Sequence, residues 1–306
     1  MNKLLQFSML KKLTISLITI LLVSSPIFSK ITFDFDVLDR TLKLGETVKI
    51  GITCNRKILK PTAWFAGRSW KINYVEKIGH TYHYVLYAGL SRYLEPKVYN
   101  CVLTLPLKNS SFKKTFSFDI RDGKFPYGTV ALPKVKKSLA NNTKQLSKES
   151  QLITSKFGST SKHRQNKKLT SPFILPAKGN FSSEFGKHRK YKGTKKSSSK
   201  HSGLDIANVE GTEIVASHDG IVIMSESLKS HGLSIMIDHG FGIKTIYNHM
   251  SKLKVKHGDI VTQGQLIGKM GTTGISTGSH LHWGLGVQNV RVNPLYWVNT
   301  RSLYTD

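Results

Sequence analysis

Short runs in which apolar and polar residues partly alternate fill the first third of the chain: "ITFDFDVL" (31–38), "TVKIGITC" (47–54), "YHYVLYA" (82–88), "YNCVLTLPL" (99–107) and "FKKTFSFDI" (112–120). Side chains alternate across a strand, so this period of two, punctuated by turn residues, predicts a β-domain. From about Pro133 to Thr170 the chain turns to Lys, Ser, Asn, Gln and Thr. Leu139, Leu146 and Ile153 fall at heptad spacing there, which predicts one amphipathic helix in part of the segment. "KFGSTSKHRQNKKLTS" (156–171) reads as a flexible basic connector. Beyond it a β-branched run, "IVASHDGIVIM" (214–224), precedes "LSIMIDHGFGIKTIYNHM" (233–250), which lacks a helical period and reads as two strands joined at His239-Gly-Phe-Gly. The pattern predicts a mainly β chain: a segment 1–29, a β-domain at 30–125, a basic, partly helical linker at 126–170 and a second β-domain at 171–300.

The opening segment changes the compartment. Lys3, Lys11 and Lys12 precede an apolar run from Leu13 to Phe28, with small residues at Ser24, Ser25 and Ser29. That layout predicts a secretory signal peptide cleaved near Ser29 and therefore an exported protein. The run is short for a membrane span, and retention as an uncleaved anchor is the alternative. Export makes a disulfide permissible, and the chain of 306 residues has two cysteines, Cys54 and Cys101. Trp64 and Trp70 lie between them and Tyr99 stands two residues before Cys101. This arrangement resembles an immunoglobulin-like sandwich, which implies a Cys54–Cys101 bridge between sheets. Two buried free thiols are the alternative. Charge adds a partner class: 46 Lys and Arg against 18 Asp and Glu leave a net +28, which favours a polyanionic neighbour such as nucleic acid, anionic lipid or an acidic wall polymer. No nucleic-acid motif accompanies the charge.

Candidate chemistry lies in "GTTGISTGSHLHWGLGV" (271–287). On a strand, His280 and His282 share a face and Leu281 takes the other. Upstream, His201 and Asp205 flank Gly203, where a loop enters a strand and a glycine lets the backbone bend so that imidazole and carboxylate converge. His201, Asp205 and His282 would form an N/O/N set that leaves a fourth tetrahedral position open, the arrangement of a catalytic zinc site. Ligand type alone does not exclude other divalent metals.

"HSGLD" (201–205), "IYNHMS" (246–251) and "STGSHLHW" (276–283) resemble, in order and spacing, the signature segments of the M23 family of zinc metallopeptidases, the lysostaphin/LytM-type peptidoglycan endopeptidases. "DGIVI", "IDHGFG", "GDIVTQGQLIG" and "VNPLYW" extend the resemblance over roughly 173–297. It implies an antiparallel β fold with an open groove, one zinc on His201, Asp205 and His282, and catalytic histidines at His249 and His280. Arg189, in "FGKHRKY", falls where the family often carries an arginine near the groove. It is expected to hold a substrate carboxylate, or else to be one more member of a basic loop. Ser279 replaces the usual proline before HLH, and Trp283 the usual phenylalanine after it. The implied activity is hydrolysis of amide bonds in peptidoglycan cross-links or stem peptides in the periplasm or cell envelope. The alternative is a non-catalytic LytM-like regulator of a cell-wall amidase. His80, His83, His218, His231, His239 and His257 read as structural or exposed.

Overall fold

The computed structural model describes residues 30–159, 169, 171–193, 198–300 and 303. The expected signal segment lies outside the described residues. Eight strands form the first β unit: β1 (Phe33–Val37), β2 (Thr41–Lys43), β3 (Thr47–Cys54), β4 (Thr62–Phe65), β5 (Arg68–Ile78), β6 (Thr81–Gly89), β7 (Lys97–Pro106) and β8 (Ser111–Arg121). They hydrogen-bond in the order β1-β3-β6-β5-β4-β7-β8-β2. β5 joins two halves, pairing with β4 over Arg68–Lys71 and with β6 over Ile72–Ile78. Ile50 and Leu86 from one half and Leu103 and Phe118 from the other meet in a single core. The β4–β5 hairpin turns on Ala66 and Gly67, both at positive φ, the backbone that suits a two-residue turn between right-twisted strands. Trp70 is buried, and its indole N–H donates to the Phe65 carbonyl at 3.0 Å.

The disulfide expected from the sandwich resemblance is not formed. Both thiols are free and buried. Cys54 ends β3, and its Sγ accepts from the Arg56 N–H at 3.3 Å, turned toward its own loop. Cys101 sits in β7, in the other half. Burial raises the Cys54 thiol and pushes Cys101 up to about 12, so both pack as small neutral groups.

The segment read as a linker holds a strand, β9 (Tyr127–Ala131), and two helices, α1 (Lys134–Asn141) and α2 (Thr143–Gly158). The expected single helix is broken at Asn142, whose backbone leaves the helical region and whose side chain accepts from the Gln145 N–H. A capping asparagine of this kind starts a new helix rather than continuing an old one. The buried face of α2 is Glu149, Ile153 and Phe157, spaced by four, instead of the heptad seam.

The second β unit comprises β10 (Asn180–Ser183), β11 (His188–Lys192), β12 (Ser198–Lys200), β13 (Leu204–Ala207), β14 (Glu213–Val215), β15 (Gly220–Leu228), β16 (Gly232–Gly240), β17 (Ile243–Leu253), β18 (Ile260–Val261), β19 (Leu266–Met270), β20 (His280–Val287) and β21 (Val290–Val292), followed by helix α3 (Pro294–Asn299). Its main sheet runs β10-β13-β20-β17-β16-β15-β18. β16 and β17 are the two strands expected around residue 240, joined at Phe241 and Gly242, both at positive φ. β11 and β12 form a small separate sheet with β9, which runs parallel to β11. Tyr87 of the first unit packs with Phe241, Leu285 and Trp297 of the second. The Gln288 amide, at the β20–β21 turn, bonds both backbone groups of Lys71, at 2.8 Å each. Among the described residues no helix is long and apolar enough to cross a membrane.

Candidate active site

β13 and β20 are antiparallel neighbours, with Asp205 opposite His282. The alternation expected of HLH holds: Leu281 is fully buried in the core of this unit, while His280 and His282 face the other way, into the groove. Asp205 Oδ1 lies 2.8 Å from His282 Nδ1 and 3.0 Å from His201 Nε2, and the two imidazole nitrogens are 2.9 Å apart. Gly203 allows this approach, though not by an unusual backbone angle. A Cβ there would meet the Trp283 carbonyl oxygen at 2.4 Å and His282 Cε1 at 2.9 Å, so any side chain would push β13 off β20.

The histidine tautomers follow from their backbone partners. His201 Nδ1 lies 2.8 Å from the Glu184 carbonyl, His249 Nδ1 2.7 Å from the Thr273 carbonyl, and His280 Nδ1 2.8 Å from the Gly278 carbonyl. A carbonyl only accepts, so each Nδ1 carries the proton and each Nε2 keeps a free lone pair. Burial lowers His201 and takes His282 down to about 3. It lowers His249 well below the usual histidine range, with His280 and His282 adding to the effect. Burial alone would raise Asp205, but its close contacts with His201 and His282 outweigh it and hold the carboxyl well below the ordinary aspartate value. The result is one carboxylate among neutral imidazoles.

This donor set fits zinc. Apexes of a tetrahedron with zinc–ligand bonds of about 2.0–2.1 Å lie about 3.3 Å apart. The three facing atoms stand at 2.8–3.0 Å and share at most one proton, so a cation would relieve their lone-pair repulsion. Among the described residues, these three form the group of His, Cys, Asp and Glu whose ligand atoms converge within 4.8 Å.

His249 and His280 flank the donor set, with ring centroids 4.8 Å apart. His249 sits on a β-bulge: between the Leu233↔Met250 and Ile235↔Tyr247 pairs, β17 carries one residue more than β16. Its φ is 64°, rare for a residue with a Cβ, and its N–H donates to the His231 carbonyl. The bulge aims the ring at the groove. Arg189, expected to hold a substrate carboxylate or to belong to a basic loop, is ion-paired with the outer oxygen of Asp205. His239 is buried between the Asp219 carbonyl and the Thr245 hydroxyl, and His218 packs against Phe173 with its ring tilted by 35°. His231, read from sequence as structural or exposed, lines the groove and touches Glu149 of α2.

Two cavities, of about 440 and 470 Å3, open on either side of the centre and share Arg189, His249 and His282 as walls. One is closed by Leu146, Ser150 and Ile153 of α2, and the other by residues 128–132, most of which belong to β9. Sequence reasoning missed these walls and Asn248, because a polar helix and a short strand carry no mark of the surface they face.

A β-sheet groove with a His–Asp–His donor set at its floor and two further imidazoles beside it has the donor chemistry to hold one metal ion next to two proton-carrying groups. Residues 199–294 match the model of Peptidase family M23, and this stretch of the chain is an M23 domain. The chain is 40% identical over 123 residues to the peptidoglycan DD-endopeptidase ShyA of Vibrio cholerae, a match covering 40% of this chain and 28% of that one. It is 38% identical over 95 residues to the DD-carboxypeptidase/endopeptidase Mpg of Neisseria gonorrhoeae, covering 31% and 22%. The matched stretch thus spans less than a third of these relatives' length. A putative M23 peptidase from Pseudomonas aeruginosa shares the fold, with a TM-score of 0.55 over 80% of this chain and 89% of that one at 24% identity.

Proposed function

We propose that the chain is an exported, zinc-dependent endopeptidase that hydrolyses amide bonds in peptidoglycan cross-links or stem peptides. The observation that carries this reading is the convergence of His201, Asp205 and His282 within 3.0 Å, with His249 and His280 beside them in an open groove. The two relatives named for peptidoglycan chemistry support the substrate class. His201 Nε2, Asp205 Oδ1 and His282 Nδ1 would hold the metal; when bound there, zinc supplies Lewis-acid activation of the scissile amide and of water.

The chain's own residues manage the protons. His249 and His280 keep Nδ1–H on backbone carbonyls, leaving Nε2 to take a proton during attack and return it to the departing amine. Burial keeps His249 neutral and ready to accept. Arg189 positions Asp205 by engaging the oxygen turned away from the histidines, the outer-shell role that fixes a ligating carboxylate. A family M23 domain with a full donor set argues against the regulator reading.

The test is digestion of purified sacculi by the mature protein, with released fragments identified by mass. A chelator should stop release and added zinc should restore it. Binding to sacculi or to an amidase with no bond cut, across several peptidoglycan types, would favour the regulator.

A further inference from the structure

The cavity against α2 is strongly cationic, and little on its walls answers that charge. Arg92, Arg189, Lys200 and Arg291 all line it, and its described walls include no carboxylate. Arg189 is neutralised by Asp205. Among the described residues the other three have no acidic partner within ion-pair distance. Their neighbours are aromatic rings and one carbonyl: Arg92 lies over Tyr93 and Phe185, Arg291 over Phe157 at 3.4 Å, and Lys200 over Tyr93 with its Nζ donating to the Arg92 carbonyl at 3.0 Å. Such rings steady a cation without neutralising it.

The hydrogen-bonding groups tell the same story. Arg92 Nε and Arg291 Nη1 are buried without a partner, as is Oδ1 of Asn248, a residue only 1% exposed. Buried polar groups are ordinarily paired, and these three leave hydrogen-bonding capacity unspent just behind the cavity's walls. Arg291 is pushed down to about 9, by burial first and by Arg92 second, so these cations are held close enough to repel. The helix wall is fixed rather than mobile. Glu149 accepts from the Lys229 and Ser230 N–H groups at 2.7 and 2.9 Å, and Lys244 caps the far end of α2 at the Phe157 carbonyl. The cavity is continuous with the centre, since His201, His249 and His282 also line it.

We propose that this cavity is a carboxylate-binding subsite, in which Arg92, Lys200 and Arg291 hold an anionic group of the substrate. It rests on the peptidase reading for the choice of ligand, because a carboxylate is the anion a peptide brings next to its own scissile amide. Guanidinium forks match carboxylates in shape as well as charge. Arg92 comes from the loop after β6, so the upstream sandwich would be part of the substrate site, and selection would favour peptides carrying a free carboxylate beside the cut bond.

Calorimetric binding tests this without turnover. The probes are an acyl-D-alanyl-D-alanine peptide against its C-terminal carboxamide, and a peptide with an internal glutamate against the same peptide with glutamine. The zinc-loaded full chain should bind the acid form of one pair about tenfold or more tightly than its amide, and the pair that discriminates says whether a terminal or a side-chain carboxylate is read. Arg92→Gln, and separately Lys200→Met, should each weaken binding of the acid form by a larger factor than binding of the amide form and so reduce that preference, with unfolding curves recorded to show that each variant is folded. Equal affinities for acid and amide in both pairs overturn the proposal. So does a preference that survives in both folded variants, or inorganic phosphate that binds more tightly than every peptide acid. If the preference is present but no peptide is cleaved, the subsite stands and the peptidase reading falls.

Discussion

In the upstream sandwich, Cys54 and Cys101 are buried among Ile50, Leu86, Leu103 and Phe118. In the M23 domain, His201, Asp205 and His249 are buried and His282 is half-buried, but all four point at one another and into a groove. Both regions are β, and both bury groups able to ligate zinc. They differ in what the ligand atoms face. Each thiol faces apolar side chains or its own loop and is kept protonated. His201 and His249 are anchored by Nδ1–H on carbonyls and Asp205 by Arg189, so lone pairs converge on the floor of the groove. Burial alone says nothing about function; burial with oriented, partly unsatisfied lone pairs does.

The largest effect expected from breaking this contrast is on the donor set. His282→Ala or Asp205→Ala should reduce sacculus digestion to the buffer background and lower bound zinc, measured by metal analysis after dialysis. Full zinc in a His201→Ala/His282→Ala double variant would overturn the assignment of ligands. Next is His249→Ala, which should keep its zinc but lose about 10²–10⁴ in rate, the scale of general acid–base catalysis. His280→Ala should behave alike. If it instead released the metal, the roles of the two histidines in HLH would be exchanged.

How much of this contrast could be read from residues alone depends on its cause. His280 and His282 were legible because strand alternation is a local rule, and the structure keeps it. The convergence on His201 and Asp205 was legible through motif order. The physical role of Gly203 was not, since the close approach of the Trp283 carbonyl exists only once β13 and β20 pair. The bulge that aims His249 depends on register with β16, which no single strand's pattern encodes. Arg189 was placed near the groove, but its ion pair with Asp205 was not legible, because sequence shows a cation's position and not which carboxylate reaches it first. The heptad of Leu139, Leu146 and Ile153 misled for a related reason: the capping side chain of Asn142 overrode a spacing that looked continuous.

A smaller, graded effect is expected from acid. Burial takes His282 down to about 3, whereas an unfolded chain's histidine titrates near 6.5. Between those values the unfolded state binds more protons than the folded one, so stability rises with pH across this window and is lost as pH falls through it. The slope is about 1.4 kcal/mol per pH unit for one such group. Denaturant unfolding of zinc-free protein between pH 4 and 6.5 should show it, and His282→Gln should flatten it. The sandwich, whose buried thiols stay neutral throughout this range, should contribute no comparable slope. Zinc should persist below the pH at which free histidine protonates, because the same burial weakens the proton's competition for the ligands.

The smallest effect tests the sandwich side. A Cys54–Cys101 bridge would add about 2–4 kcal/mol by constraining the unfolded chain, enough to move the melting temperature by several degrees. With both thiols free, a phosphine reductant should leave the melting temperature of the full chain unchanged within about one degree. A thiol reagent should label neither cysteine in the folded protein and both in denaturant, since burial disfavours the reactive thiolate. The contrast between the two regions would be blunted by one result above all: a reductant-sensitive melting point, with non-reducing mass mapping that recovers Cys54 and Cys101 on one cross-linked fragment. The sandwich would then be held by the covalent geometry its sequence resembles, while the donor set of the M23 domain would stand untouched, because no atom of that set lies within the sandwich.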